Sequence, residues 1–384
     1  MTLFTIITLG VLTHTVFTSS RMIGSLYALA NGASTFTVGV LMALFALVPM
    51  LIAVRAGRWL DAVGPRKPLA AGVALLGAGA VMPALFPYAV ADIAPLLVGA
   101  ALVGTGSMLV QQTSIHIVGS RADPTRRAAD FSWMAVGASV AGLIGPVASG
   151  LLIDLAGHRA AFAALTVLTL ANGVLLYLHR ARLPSHSAPA AAAEPRPTFE
   201  LLSTKDVRNV LVAVALISMS WDLQTFMMPV HGTAVGLSAS EIGLVLGAFA
   251  VATFTVRLAM PMLSRRLGEW QVLTFTLFTA ALAFLLMPWF GSTLPLAACS
   301  FLLGLGLGAA YPNVMSLLHA SSPPGRVGEA LGLRHLIMNG SHVALPLVFG
   351  AAGSVLGARV VYLLMAVVLV VAGLAARRVS RGQA

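Results

Sequence analysis

Histidines aside, Arg21 and Asp222 are the two ionisable residues that stand well inside the long apolar runs of this sequence. A guanidinium can hold an anionic or polar group, and a carboxylate that changes surroundings can load and release a proton. If those runs lie in lipid, each charge costs about 2.5–3.5 kcal/mol on insertion scales, so both need a reason to persist. Other polar residues fall at comparable depth: His14, Gln111, Gln112, Trp221, Gln224, Tyr311, Asn313, Asn339 and His342. Such groups prefer a bundle interior to hydrocarbon, so some of them are expected to line a polar cavity, and His14 and His342 could titrate there.

The elements that position them follow from composition. The chain of 384 residues is 58% hydrophobic and 9% charged, with a mean hydropathy of +0.93, whereas a soluble domain carries about 25% charged residues. A hydrocarbon core about 30 Å thick needs roughly 20 apolar residues per helix. The sequence offers twelve such runs, expected near 4–29, 35–56, 68–86, 94–118, 130–154, 159–178, 207–231, 240–262, 271–290, 294–318, 329–355 and 359–377. They are apolar on every side rather than alternating, which excludes an outer-membrane barrel. The opening MTLFTIITLG lacks a basic stretch and a cleavage site, so it reads as a retained first helix. Cys299 is the lone cysteine and excludes an internal disulfide.

Charge follows position. Cations cluster in alternate loops, at Arg55, Arg58, Arg66 and Lys67, at Arg121, Arg126 and Arg127, at Arg257, Arg265 and Arg266, and at Arg326 and Arg334, while the intervening loops hold only Arg159 and Arg359. The positive-inside rule then places both termini and the cation-rich loops in the cytoplasm. The net charge of +11 therefore points to anionic lipid headgroups rather than nucleic acid. The stretch HRARLPSHSAPAAAAEPRPTFELLSTKD is rich in Pro, Ala and charge and cannot bury a core. It divides the chain into a six-helix bundle over 1–178, a cytoplasmic linker over 179–206 and a second bundle over 207–384.

The halves repeat. Pro124, Pro146, Gly150, Gly157 and Arg159 recur 200 positions later as Pro324, Pro346, Gly350, Gly357 and Arg359. Gly32, Ser34, Gly39 and Gly64 recur 204 positions later as Gly236, Ser238, Gly243 and Gly268. A loop near 86–94 that is longer by about four residues accounts for the change of register. A parallel repeat of this length suits two bundles that rock about a site at mid-membrane depth. In the 204 register Asp222 corresponds to position 18, three residues before Arg21, so the two differ by about 4.5 Å in depth. If the helices that carry them face one another, the two can meet or share a ligand.

After the second run stands GRWLDAVGPRKPL, Gly57 to Leu69. It resembles the loop signature of the major facilitator superfamily, G-x-L-x-D-x-x-G-R-K-x-x-L, through Gly57, Asp61, Gly64, Arg66, Lys67 and Leu69. The resemblance extends along the chain through helix count, repeat and linker. It implies an all-α integral membrane protein with twelve transmembrane helices in two pseudo-symmetric six-helix bundles. It also implies that Asp61 acts as a cytoplasmic latch, and that helices 1 and 7 face the central cavity. On physical grounds Gly57 permits close helix approach, Gly64 a tight turn, and a carboxylate is stabilised at a helix start. Arg127 with Asp130 and Arg326 with Glu329 repeat an Arg–acid spacing at helix starts and are candidates for the same latch. Gly145-Pro146 partly resembles an antiporter signature of the family and is the expected helix bend. Ala100 stands where many proton-driven drug exporters keep an Arg.

No phosphate-binding G-x-x-x-x-G-K-[ST] occurs, and the histidines lack ligand spacing, so neither a cofactor, a metal nor an enzymatic activity is expected. The reading is a monomeric secondary transporter of the cytoplasmic membrane, moving a small-molecule substrate by alternating access. Proton-coupled export comes first, and proton-coupled uptake of an organic anion is the alternative. A membrane sensor or assembly factor that kept the fold without transport is the alternative of another class.

Overall fold

The computed structural model describes residues 3–85, 93–119, 124–180, 198–263, 267–322 and 327–382. Ten helices carry the fold: α1 (Leu3–Ala30), α2 (Thr35–Val63), α3 (Arg66–Leu85), α4 (Ala94–Gly119), α5 (Pro124–His179), α6 (Lys205–Ala234), α7 (Ala239–Leu263), α8 (Glu269–Leu286), α9 (Thr293–Ser321) and α10 (Val327–Gly382). Each holds a stretch long and apolar enough to cross a membrane. Helices suit this solvent because they satisfy their backbone polar groups internally, which hydrocarbon cannot do. Among the described residues there is no strand.

Ten helices replace the twelve separate runs of the sequence reading because α5 and α10 each contain two. Both are 56 residues long, and each is broken by one glycine in the left-handed region, Gly157 at φ 80° and Gly357 at φ 79°. A side chain there would be strained, so glycine permits the reversal. The contacts of α1 show the change of direction. Built Cβ atoms on Gly137 and Gly145 meet Val11 and Thr18 respectively, so this part of α5 runs along α1 in the same sense. Beyond Gly157, Phe162 packs on Tyr27 and Asn172 donates to Thr13, the opposite sense. In α10, His342 bonds Asp222 of α6, while Tyr362 packs on His231 of the same helix. A straight helix would separate His342 from Tyr362 by about 30 Å, whereas Asp222 and His231 are only about 13.5 Å apart along α6. A reversal at Gly357 reconciles the two.

The chain forms two compact units, Met1–Ala192 with Ser238–Gly243, and Ala193–Leu237 with Leu244–Ala384. The internal repeat reappears as repeated contacts. A Cβ on Gly104 would collide with the Phe45 carbonyl, and one on Gly304 with the Phe249 carbonyl. Phe45 and Phe249 are 204 apart, and the two glycines 200. Tyr27 packs edge-on against Phe162 at 5.7 Å in the first unit. In the second, His231 packs edge-on against Tyr362 at 5.7 Å in the same registers. Ser34 and Ser238, another matched pair, each accept from the N–H three residues on. Between lipid-exposed helices the hydrophobic effect gives little attraction, so backbone-to-backbone approach at small residues must supply the packing.

Replacing Gly104 or Gly304 by Val should therefore cost about 1–3 kcal/mol of overpacking strain. Gly57→Ala should cost far less, because a Cβ there meets no atom within 4 Å. Thermal unfolding in detergent distinguishes them: both valine variants should melt lower than wild type and Gly57→Ala should not.

Candidate functional site

The second unit contains a cavity of about 240 Å³ lined by side chains from α6, α7, α9 and α10. That is slightly below the roughly 300–1,000 Å³ of typical small-molecule sites. Val214, Ile217, Leu307, Ala310, Val314 and Met338 supply apolar wall, while Trp221, Arg257, Tyr311, Arg334 and His342 supply the chemistry. Trp221 is fixed by an edge-on contact with Phe249 at 4.8 Å.

Behind His342 sits Asp222, which has no exposed surface. Its Oδ1 lies 2.7 Å from His342 Nδ1. The imidazole keeps 32% of its side chain exposed. The other carboxylate oxygen, Oδ2, is buried and has no hydrogen-bond partner among the described residues. Removing the imidazole would leave the buried Asp222 carboxylate without its partner, at a cost of about 3–5 kcal/mol. A histidine placed between a cavity and a buried carboxylate is suited to passing a proton between them.

Two cations share the cavity that the sequence reading had assigned to cytoplasmic loops. Arg257 lies six residues inside the end of α7 and Arg334 seven inside the start of α10. Arg334 is 4% exposed, and its guanidinium lies over the Tyr311 ring at 4.8 Å. The statement that only Arg21 and Asp222 are charged deep in the apolar runs is therefore corrected. Both arginines lay about a turn and a half from the expected helix ends, where a long side chain ordinarily reaches back to headgroups. Here they turn inward.

Of the expected site residues, Trp221, Tyr311 and His342 line the cavity, with Asp222 behind them. Gln224 is fully buried and donates to Ser300 at 2.8 Å, and Asn313 donates to Ala309 within its own helix at 2.7 Å. Neither is among the residues that line this cavity, and Gln224 Oε1 is buried without a hydrogen-bond partner among the described residues. Asn339 is exposed on α10. The remaining expectations fall in the first unit. Half-buried Arg21 donates through Nε to Met42 Sδ at 3.3 Å and lies over Phe17 at 5.7 Å. His14 stacks on the same ring at 6.1 Å. Gln111 is exposed and Gln112 half-buried on α4.

The latch residues divide. Gly64 has φ 75° and donates its N–H to Leu60, giving the expected tight turn between α2 and α3. A Cβ on Gly57 would meet no atom within 4 Å among the described residues. Arg66 is exposed and Asp130 half-buried. The side chains of Asp61, Arg127 and Glu329, and Arg326 altogether, lie outside the described residues. The chemistry anticipated for Asp61 is found at Asp154, which the sequence reading missed. Its two oxygens accept from the Ala239 and Ser240 N–H groups at 3.1 and 2.7 Å, within the first unit. At the expected bend, α5 keeps helical dihedrals through Gly145 and Pro146 and breaks only at Gly157. The Gly145 carbonyl accepts from Ser19 at 3.1 Å, a close packing against α1.

Comparison with known proteins agrees with this architecture. The family model described as Major Facilitator Superfamily matches residues 7–295 and 210–383. An uncharacterized MFS-type transporter of Bacillus subtilis (strain 168), YfkF, is 28% identical over 96 residues, which is 25% of this chain and 25% of that relative. The alignment thus spans about a quarter of the curated relative. Among solved structures, a POT family transporter in complex with a thioalcohol-conjugated peptide has a TM-score of 0.80 at 14% identity, covering 99% of this chain and 96% of that one. The nucleoside transporter NupG has a TM-score of 0.77 at 14% identity, covering 98% and 99%. At these identities the likeness is one of fold. Because the family model matches over most of the chain, and the apolar helices and repeated contacts fit its architecture, the chain belongs to the major facilitator superfamily.

Proposed function

We propose that this membrane transporter is a proton-coupled secondary carrier of a small organic solute, with the Asp222–His342 pair as its proton site. The observation that carries the reading is the 2.7 Å contact between a carboxylate without exposed surface and an imidazole that borders the cavity. A proton entering from the cavity meets His342 first and the buried carboxylate second. Losing it again once the surroundings change would tie proton movement to solute movement, the condition for secondary transport. Export by proton exchange and uptake of an organic anion use the same pair; they differ in which gradient drives the cycle.

The rest of the reading follows the repeat and the charge pattern. Bundles over 1–178 and 207–384, joined by the linker 179–206, would alternate access to the substrate. The cation-rich loops would hold both termini on the cytoplasmic side of the cytoplasmic membrane. The carrier would work as a monomer surrounded by lipid, without a cofactor. His14, Arg21, Gln111 and Gln112 are assigned to the solute path on the first unit. Arg66, Arg127, Asp130, Arg326 and Glu329 are assigned with Asp61 to a cytoplasmic latch.

Proteoliposomes with a trapped pH indicator test the proton site. A panel of small organic solutes should include at least one whose addition moves protons through the wild type, in the direction set by the imposed gradient. Asp222→Asn and His342→Gln should each reduce that movement at least tenfold, with the protein still monodisperse in detergent. Solute flux of unchanged pH dependence in Asp222→Asn would remove the proton role. Absence of flux for every solute under either gradient would favour the sensor reading. In the same assay Asp61→Asn should slow transport without lowering expression, and full activity would discard the latch.

A further inference from the structure

We propose that the cavity of the second unit binds an organic anion, a small solute bearing a carboxylate or phosphate, with Arg334 and Arg257 holding its charge. Four observations converge. Both guanidinium groups line one cavity of about 240 Å³. Arg334 is buried to 4% exposure in an apolar helix. Its Nε is buried and has no hydrogen-bond partner among the described residues. Among the described residues no carboxylate lines the cavity, since Asp222 stands behind His342.

Burying the Arg334 guanidinium with its Nε unpartnered is costly, and a second cation lining the same cavity adds repulsion. An entering anion relieves both. Guanidinium is suited to this task because its planar fork matches the two oxygens of a carboxylate or phosphate. The Tyr311 ring, with its centroid 4.8 Å from the Arg334 guanidinium carbon, packs against that fork. Trp221 and the aliphatic wall from Val214, Ile217 and Met338 provide the surface for the organic part. Among the lining residues the ionisable groups are Arg257, Arg334, Tyr311 and His342, so the field in the cavity is positive. A proton added to the Asp222–His342 pair makes it more positive still, so that proton and anion favour each other's binding.

This assignment deepens the transport reading of the same site and takes its place in the cycle from it, but binding is measured without flux or a pH gradient. Anion recognition can therefore fail while proton coupling stands, and the reverse. The test follows thermal unfolding of the full chain in detergent at constant ionic strength. Matched pairs supply the probes: acetate and acetamide, benzoate and benzamide, succinate and succinamide, with inorganic phosphate set against chloride. A ligand that binds the folded form raises the apparent melting temperature. At least one acid, or phosphate, should stabilise the wild type more than its neutral or chloride counterpart. The concentration needed should rise tenfold or more in Arg334→Gln and Arg257→Gln, and remain unchanged in Arg180→Gln, whose side chain stacks on Tyr177 elsewhere. Should Arg334→Gln fail to fold, Arg334→Lys keeps the charge without the fork and should show an intermediate loss. Equal stabilisation by acids and amides throughout, no preference for phosphate over chloride, or an acid-specific shift undiminished in both arginine variants would overturn the proposal.

Discussion

Hydrocarbon neither solvates charge nor hydrogen-bonds backbone, and the described structure answers to that constraint throughout. Every backbone polar group within a crossing must find its partner in its own helix, which leaves helices as the elements. Each ionisable group must find compensation inside a bundle or pay several kcal/mol. Asp222, with no exposed surface, and Arg334, at 4%, are the most deeply placed groups of each sign. The carboxylate has an imidazole partner at 2.7 Å. The guanidinium lies over an aromatic face, and its Nε has no hydrogen-bond partner among the described residues. That asymmetry is the basis on which a proton site at Asp222–His342 and a ligand site at the arginines are proposed.

The same solvent explains how each unit is assembled. Apolar side chains gain little by leaving lipid for one another, so helices are held by backbone contact at small residues. Gly104 against Phe45 and Gly304 against Phe249 are two copies of one such contact. Gly157 and Gly357 turn two long helices back on themselves at matched positions. The repeat in the sequence is thus a repeat of packing solutions, in which the residues retained are those that a side chain would obstruct or a reversal would strain.

Much of this was legible beforehand, since helix class, repeat registers and two-bundle design follow from composition and from the spacing of Gly and Pro. Asp222 was also legible, because a carboxylate deep in an apolar run has few explanations. Arg257 and Arg334 were not. At a turn and a half from an expected helix end, the same residue type suits a headgroup or a cavity, and only tertiary packing decides which way it points. Gln224 and Asn313 could not be told apart from cavity lining by depth alone: Gln224 donates to Ser300 and Asn313 to a carbonyl of its own helix. Asp154 stood at the end of an expected helix, and its partner N–H groups lie 85 and 86 residues away in sequence. No local pattern could reveal them.

The central claim is that Asp222 gains and loses a proton in step with solute. Infrared difference spectroscopy of the membrane-reconstituted protein measures this at the carboxyl group. Acidification should produce the carbonyl stretch of a protonated carboxylic acid that is absent from Asp222→Asn and displaced in His342→Gln, and its intensity should respond to a transported solute. An identical spectrum in wild type and Asp222→Asn across the pH range would contradict the account.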